Sequence, residues 1–349
     1  MKTIAKKTDF LDYPHHHKAH KTPVPLLGGV AIFGTLLIVS WGGILMLFLI
    51  TKISLLEFVI PVQLHKYIGG IFLKTPQLLS VFGGATVLSI FGLIDDKKDL
   101  RALTRIVVQI FAASIVFCAG IRITLFSSHL LFSYLLTVIW LVAVINSFNL
   151  LDNMDGLSSG IACIAGGIFL LLSIVNHQYF VSLFLAAYVG SILGFLIYNF
   201  SPASIYMGDA GSMVIGFFMG VLTILGTYYY PEFPTVFPIA MPLVILSVPF
   251  YDVISVILIR SKNRKPIYIG DRNHFSHRLV RLGMTEQGAV LLIYILTFAT
   301  GISSLLLQMV EFHGVIIILF QVVLFLFIIG LLEYYGKKKE FHEISKKTN

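Results

Sequence analysis

Acidic and amide side chains in this chain gather where long apolar runs end. In "IFGLIDDKKDL" (90–100) an apolar run stops at adjacent Asp95 and Asp96, followed by Lys97, Lys98 and Asp99. Negative charge at a helix C-terminus opposes the macrodipole, and charge beside hydrocarbon is costly and commonly functional. The plainer reading is a solvated helix end with Lys97 and Lys98 as partners. The sharper one is chemical. Adjacent carboxylates titrate as a coupled pair, one holding its proton to higher pH, and such a group can accept a proton from a phosphate.

Two further clusters fit the sharper reading. "NSFNLLDNMDGLSSG" (146–160) places Asn146, Asn149, Asp152 and Asp155 at three-residue intervals, roughly one face if the segment is helical. Oxygen-only donors suit a hard cation, Mg²⁺ or Mn²⁺ in its place. The spacing and distal Glu of an EF-hand are missing. Asp155, Gly156 and Ser158 also suit the turn and cap of a following helix. In "YMGDAGSMVIG" (206–216), Asp209 stands between Gly208 and Gly211 at the mouth of a helix. Glycines let a ligand approach the backbone, and free N–H groups there favour phosphate. No Walker lysine follows.

Cations complete the set. "DRNHFSHRLVRLG" (271–283) carries His274 and His277 about one helical turn apart, beside Arg272 and Arg278. A zinc pair would lack a third soft ligand. Arginine forks and imidazole donors suit phosphate better. "PHHHKAHKTPVPLLGG" (14–29) adds His20 and Lys21 ahead of Gly28 and Gly29. Asp252, about two turns inside an apolar run after Pro249, needs a partner. An ion pair with a basic loop residue and a direct role both remain open.

The elements that must position these groups are membrane helices. The 349 residues are 57% hydrophobic and 12% charged, with mean hydropathy +0.91, against about 25% charged in soluble domains. This is one membrane-embedded domain, all-α and polytopic, with no hydrophilic stretch long enough for a second. Runs of about 20 apolar residues predict ten spans: 25–50, 77–95, 104–122, 129–148, 157–176, 179–199, 212–230, 236–259, 287–309 and 313–335. The connection 51–76 reads as an interfacial or re-entrant segment rather than an eleventh span. The first 22 residues are polar and basic, with no signal-peptide core.

The net charge of +8 sits in loops, which points to orientation rather than to nucleic acid. Alternate loops carry 21 and 4 of the 25 Lys and Arg residues. The positive-inside rule therefore puts both termini, and every acidic cluster, on the cytoplasmic face. Cys118 and Cys163 lie in apolar runs and build no disulfide framework. Metal-ready oxygens, phosphate-ready cations and glycines on one face of a membrane bundle describe phosphoryl transfer with a lipid co-substrate. A secondary transporter for an anionic solute is the alternative. It calls for ionisable groups near the midplane and for repeat symmetry, and neither is visible.

Five ordered motifs carry a resemblance: "DYPHHHKAHKTPVPLLGG", "GLIDDKKDL", "NSFNLLDNMDGL", "NFSPASIYMGDAGS" and "DRNHFSHRL". Over about residues 10–310 the chain resembles the polyprenyl-phosphate N-acetylhexosamine-1-phosphate transferases, the MraY/WecA superfamily. The resemblance implies transfer of a sugar 1-phosphate from a UDP-N-acetylhexosamine to a polyprenyl phosphate in the inner membrane, with release of UMP. It implies metal ligands at Asn149 and Asp209, and catalytic roles for Asp95, Asp96 and Asp152. It further implies substrate contacts at Asn146, Asp155, His20, Lys21, His274, His277 and Arg278. Asp99 stands where MraY-type members carry Lys, and the MraY triple-histidine motif is absent. "DRNHFSHRL" looks like the WecA/TagO branch, which favours UDP-GlcNAc, with Ser276 near a position where that branch often has histidine. Family members usually have eleven spans, so the resemblance implies that the first is missing here. A homodimer is compatible with this reading, and nothing in the residues selects it.

Overall fold

The computed structural model describes residues 1–13, 23–52, 69–124, 129–264, 266 and 273–347, with side chains as far as Tyr334. His20, Lys21, Arg272 and most of the 51–76 connection lie outside the described residues. All ten predicted spans are helical. We label them α2 (Gly28–Lys52), α3 (Thr75–Lys98), α4 (Ala102–Cys118), α5 (Leu130–Leu151), α6 (Leu157–Val175), α7 (Tyr179–Asn199), α8 (Gly208–Leu225), the pair α9 (Met241–Ile245) and α10 (Ser247–Lys262), α12 (Glu286–Ser304) and α13 (Phe312–Lys347). Two short helices accompany them, α1 (Lys2–Lys7) and α11 (Phe275–Arg281).

Eight of these are long and apolar enough to cross a membrane, nine if the α9–α10 pair counts as one broken span. The expectation of about ten spans agrees with this range, and two of the ten runs differ in shape from the rest. Helix α4 has 17 residues, about 26 Å at 1.5 Å per residue, short of a hydrocarbon core of roughly 30 Å. The eighth run bends by 66° between Phe237–Ile245 and Ser247–Lys262. Pro249 supplies the cause, since it has no N–H for the carbonyl of Ile245 and breaks the ladder there.

Burial is arranged as lipid requires. Large apolar side chains such as Ile38, Ile197 and Ile317 face outward, while buried Ser, Thr, Asn and Gln pair inside, as in Trp140 Nε1 to Thr223 Oγ1 at 2.8 Å. Helix α8 is the axis of the bundle, its span 78% buried against 11% for α2. Aromatic rings lock its outer half, with Phe82 5.5 Å from Phe218 and 5.9 Å from Phe184.

At the opposite end two glycines let helices touch backbone to backbone. A Cβ on Gly29 would fall 2.3 Å from Gly211 N, and one on Gly92 2.4 Å from Ala210 N. The starts of α2 and α8 and the end of α3 thus meet at one point. A strand pair the sequence did not announce, Leu11–Asp12 with Val24–Pro25, runs antiparallel beside them. Tyr206 N donates to the Pro25 carbonyl at 2.8 Å, which ties the 200–207 loop to that pair.

Candidate active site

Asp95 ends α3 fully enclosed. Its Oδ2 stands 2.6 Å from Arg105 Nε, with the side chain 0% exposed. Its Oδ1 accepts from Leu100 N at 2.7 Å and from Arg105 Nη2 at 3.2 Å. Asp99, at φ 45°, turns the chain back so that α4 can present Arg105 to the residue it follows by ten. The neutralising cation is therefore Arg105, and the plainer reading, with Lys97 and Lys98 as partners, does not hold. Lys97 Nζ lies instead 4.8 Å over the ring of Phe10. Arg105 also reaches Asp99 Oδ1 at 3.2 Å and Asp209 Oδ2 at 3.7 Å.

Asp96 points the other way, onto the first turn of α8. Asp209 N donates to its Oδ1 at 2.7 Å and Ala210 N to its Oδ2 at 3.4 Å. A carboxylate at a helix N-terminus is favourable, which offsets the unfavourable position at the end of α3. The N–H groups expected to be free for phosphate at this mouth are thus partly taken by Asp96. Gly208 is required here. It sits at φ +66°, and a Cβ would come within 2.5 Å of Asp96 Oδ2.

The 146–155 cluster does not share one face. Each three-residue step turns about 60° back around a helix of 3.6 residues per turn, so the side chains fan out. Asn146 Nδ2 donates to Gln109 Oε1 at 2.6 Å on α4. Asn149 Nδ2 donates to Asp209 Oδ1 at 2.6 Å and to Ser212 Oγ at 2.9 Å. Asp152 follows the last residue of α5, and Asp155 Oδ2 accepts from Ala203 N at 2.8 Å. Loss of water and then the charges of Asp209, Asp96 and Asp155 push the half-buried Asp152 carboxyl well above the usual range. Burial, followed by the charges of Asp155 and Asp12, likewise pushes the Tyr206 hydroxyl up.

Asp252 has found its partner among the residues read as cations. Its Oδ2 lies 2.8 Å from His274 Nδ1, and its Oδ1 accepts from Phe275 N at 2.5 Å, which caps α11. Ser276 Oγ donates to Asn153 Oδ1 at 2.6 Å, so the histidine-bearing helix touches the residue next to Asp152. His277 is half-buried on the same helix. Arg278 is buried and turned to Glu333 on α13 rather than to the carboxylates.

Asp96, Asp152 and Asp209 therefore converge from the ends of three membrane helices, with the histidine helix alongside. Among the described residues no three His, Cys, Asp or Glu side chains form a ready metal cage. A hard cation such as Mg²⁺ needs no such cage, since it keeps waters and takes one or two carboxylates plus substrate phosphates. Three mutually repelling acids, of which only Asp209 lies within 4 Å of Arg105, fit that requirement.

The model of glycosyl transferase family 4 matches residues 78–227. A probable undecaprenyl-phosphate N-acetylglucosaminyl 1-phosphate transferase of Bacillus subtilis is 30% identical over 338 residues, covering 95% of this chain and 86% of that protein. The chain belongs to the polyprenyl-phosphate N-acetylhexosamine-1-phosphate transferase family. The decaprenyl-phosphate N-acetylglucosaminephosphotransferase of Mycobacterium leprae is 27% identical, covering 84% of this chain and 75% of its own. The undecaprenyl-phosphate alpha-N-acetylglucosaminyl 1-phosphate transferase of Escherichia coli K12 is 25% identical, covering 93% and 84%. The family-model match spans α3 to α8 and so contains every carboxylate of the cluster. The histidine helix lies outside it.

Four residues of this family member's site were not singled out from sequence as site residues: Arg105, Gln109, Asn153 and Glu333. Arg105 was visible only as one more positive charge near a loop. Gln109, one turn further along α4, lies inside an apolar run, and a lone amide there is itself a signal. Asn153 and Glu333 acquire meaning only through their partners, Ser276 and Arg278.

Proposed function

We propose that this protein transfers N-acetylglucosamine 1-phosphate from UDP-GlcNAc to a polyprenyl phosphate, releasing UMP, at the cytoplasmic face of the inner membrane. The observation that carries this is the meeting of Asp96, Asp152 and Asp209 at one end of a membrane bundle, in a chain of this family. The excess of Lys and Arg in the loops at that end supports the cytoplasmic orientation. Ionisable groups gathered at helix ends speak against the transporter alternative.

Asn149, through its amide oxygen, and Asp209 are the residues that would hold Mg²⁺. Bound there, the ion would offset the charge of the two anionic substrates and polarise the donor diphosphate. The rest falls to the chain's own residues. Asp95 holds Arg105 and is itself too enclosed to meet a substrate. Asp96 fixes the first turn of α8 and faces the space where the lipid phosphate arrives, while Asp152 is the carboxyl whose raised affinity for protons suits it to accept one from a phosphate. His274 keeps its second ring nitrogen for substrate while Asp252 fixes the first. With His277, and with His20 and Lys21 from the N-terminal motif, it supplies donors for phosphate. Asp155 faces the nucleotide side with Tyr206, and Asn146 holds α4 against α5 beneath the site.

In the reaction a lipid phosphate oxygen attacks the β-phosphorus, and the bond from that phosphorus to the bridging oxygen breaks as UMP leaves. An open apolar groove of about 500 Å³, lined by Leu136, Trp140, Ala143, Phe250, Tyr251 and Leu326 among others, offers the lipid tail a place. Its α5 stripe continues from Ala143 to Asn146 and so leads toward the site. A covalent aspartyl route is the rival. A sugar phosphate trapped on Asp96 in the absence of lipid would decide for it.

Purified protein with Mg²⁺ and undecaprenyl phosphate should release UMP from UDP-GlcNAc faster than from other UDP-sugars. Release from none of a panel of UDP-N-acetylhexosamines would contradict the assignment. Removal of divalent ions with a chelator should abolish release, and added Mn²⁺ should restore part of it.

A further inference from the structure

A buried carboxylate–imidazole contact and a buried ion pair hold the histidine helix α11, and the ion pair reaches it from the last membrane helix. Glu333, near the site end of α13, places Oε1 3.0 Å from Arg278 Nε, with the two side chains 13% and 8% exposed. The Tyr251 hydroxyl adds a longer bond to Glu333 Oε2, 3.4 Å. Arg278 Nη2 donates to Ser255 Oγ at 2.7 Å, and its Nη1 donates to the carbonyl of Asn273. The guanidinium lies 6.0 Å from the ring centres of both Tyr251 and Phe275. All three nitrogens of this fork therefore face protein. Arg278 holds the carbonyl that precedes His274, while Asp252 holds the His274 ring.

We propose that Glu333 is a positioning residue for the transfer reaction. From the last membrane helix it aims Arg278, and through the Asn273 carbonyl it fixes residues 273–277 beside the carboxylate cluster. What that segment does for the substrates rests on the function proposed above; where Glu333 holds it does not. The charge is the point. A buried guanidinium without its carboxylate must seek other acceptors or water, and the nearest way to do so is to release Asn273. Tyr251 and Leu326 also line the apolar groove, and Leu326 and Glu333 lie two turns apart on one face of α13. The groove wall and the device that places the histidines thus share residues.

The test uses full-length protein in detergent, with Glu333→Gln, Glu333→Asp and, as a control before the far end of α13, Glu311→Gln. Hydrogen exchange is followed over residues 273–282, α8 and α13, and UMP release is measured with UDP-GlcNAc and undecaprenyl phosphate. Glu333→Gln should speed exchange in 273–282 at least tenfold while α8 keeps its rate. It should also lower kcat at least tenfold, with the KM for UDP-GlcNAc within twofold. Glu333→Asp should recover a third or more of both, and Glu311→Gln should change neither. If Glu333→Gln does not fold, Glu333→Asp carries the test and must show the same pattern at about threefold. Unchanged exchange in 273–282 overturns the proposal whether or not the protein turns over UDP-GlcNAc. Loosening of α13 with kcat per folded molecule intact overturns it as well, since that is a mere structural tie. No turnover by wild-type protein with any donor would count against the proposed function alone, and the exchange result would still decide the role of Glu333.

Discussion

Arg105 carries the electrostatics of the site at the residue scale, because among the described residues it is the one cation in contact with both Asp95 and Asp209. Removing one partner of a buried pair costs about 3–5 kcal/mol, while removing both can be close to neutral. Arg105→Gln should therefore lower the melting temperature sharply, and the double variant Asp95→Asn/Arg105→Gln should regain much of that loss. Additive losses in thermal unfolding would contradict the pairing. Asp152 gives a pH-dependent counterpart. Its folded carboxyl binds a proton more tightly than an unfolded one near 3.9. Stability of the metal-free protein must therefore fall as pH rises from about 4 through the raised folded value. In chelator, Asp152→Asn should melt higher than wild type at pH 7.5, with the gap closing toward pH 4. A lower melting point at pH 7.5 would refute the crowding of charge. Asp95 and Asp96 were legible as chemistry because an apolar run ended on them. Their partners were not. Lys97 and Lys98 stand closer in sequence, but the left-handed turn at Asp99 selects Arg105 instead.

Element by element, the site exists because α2, α3 and α8 can approach to backbone contact. Gly29→Ala should cost several kcal/mol by forcing a methyl into Gly211. Gly34→Ala, five residues along the same helix with open space at its Cβ, should stay within about 0.5 kcal/mol. Comparable losses for the two, measured by thermal unfolding, would refute the contact. Hydropathy found the long apolar helices but not their shapes. A run of apolar residues reads the same whether straight or bent, so the 66° break before Pro249 and the shortness of α4 emerge only in three dimensions. The 146–155 cluster shows the same limit. Its spacing suggested one face, whereas the helix ends at Leu151 and its side chains reach α4, α8 and the 200–207 loop separately.

For the whole molecule, the inversion of polarity is what joins a greasy scaffold to phosphate chemistry. Apolar side chains cover the outside, amides and hydroxyls pair within, and the acids are delivered to one end. The order of motifs along the chain made the family legible. The dependence of the histidine helix on α13 was not, because Glu333 lies 55 residues after Arg278 with no other site residue between. The charge asymmetry of the loops adds a prediction at this scale. A fluorescent protein fused to the C-terminus should light up in bacterial cells, as a cytoplasmic tail requires, and a dark, exported fusion would reverse the topology.

The fate of one phosphorus atom tests the central claim most directly. UDP-GlcNAc labelled with ³²P at the β-phosphate is incubated with the purified protein, undecaprenyl phosphate and Mg²⁺. The label should move into the lipid phase in equal amount with unlabelled UMP, and Asp209→Asn should cut that transfer by more than about 100-fold, since even groups that only support a metal ligand contribute 10–100-fold. Label that stays in water, as UDP-GlcNAc or as free sugar phosphate, while wild-type protein remains folded, would contradict the account.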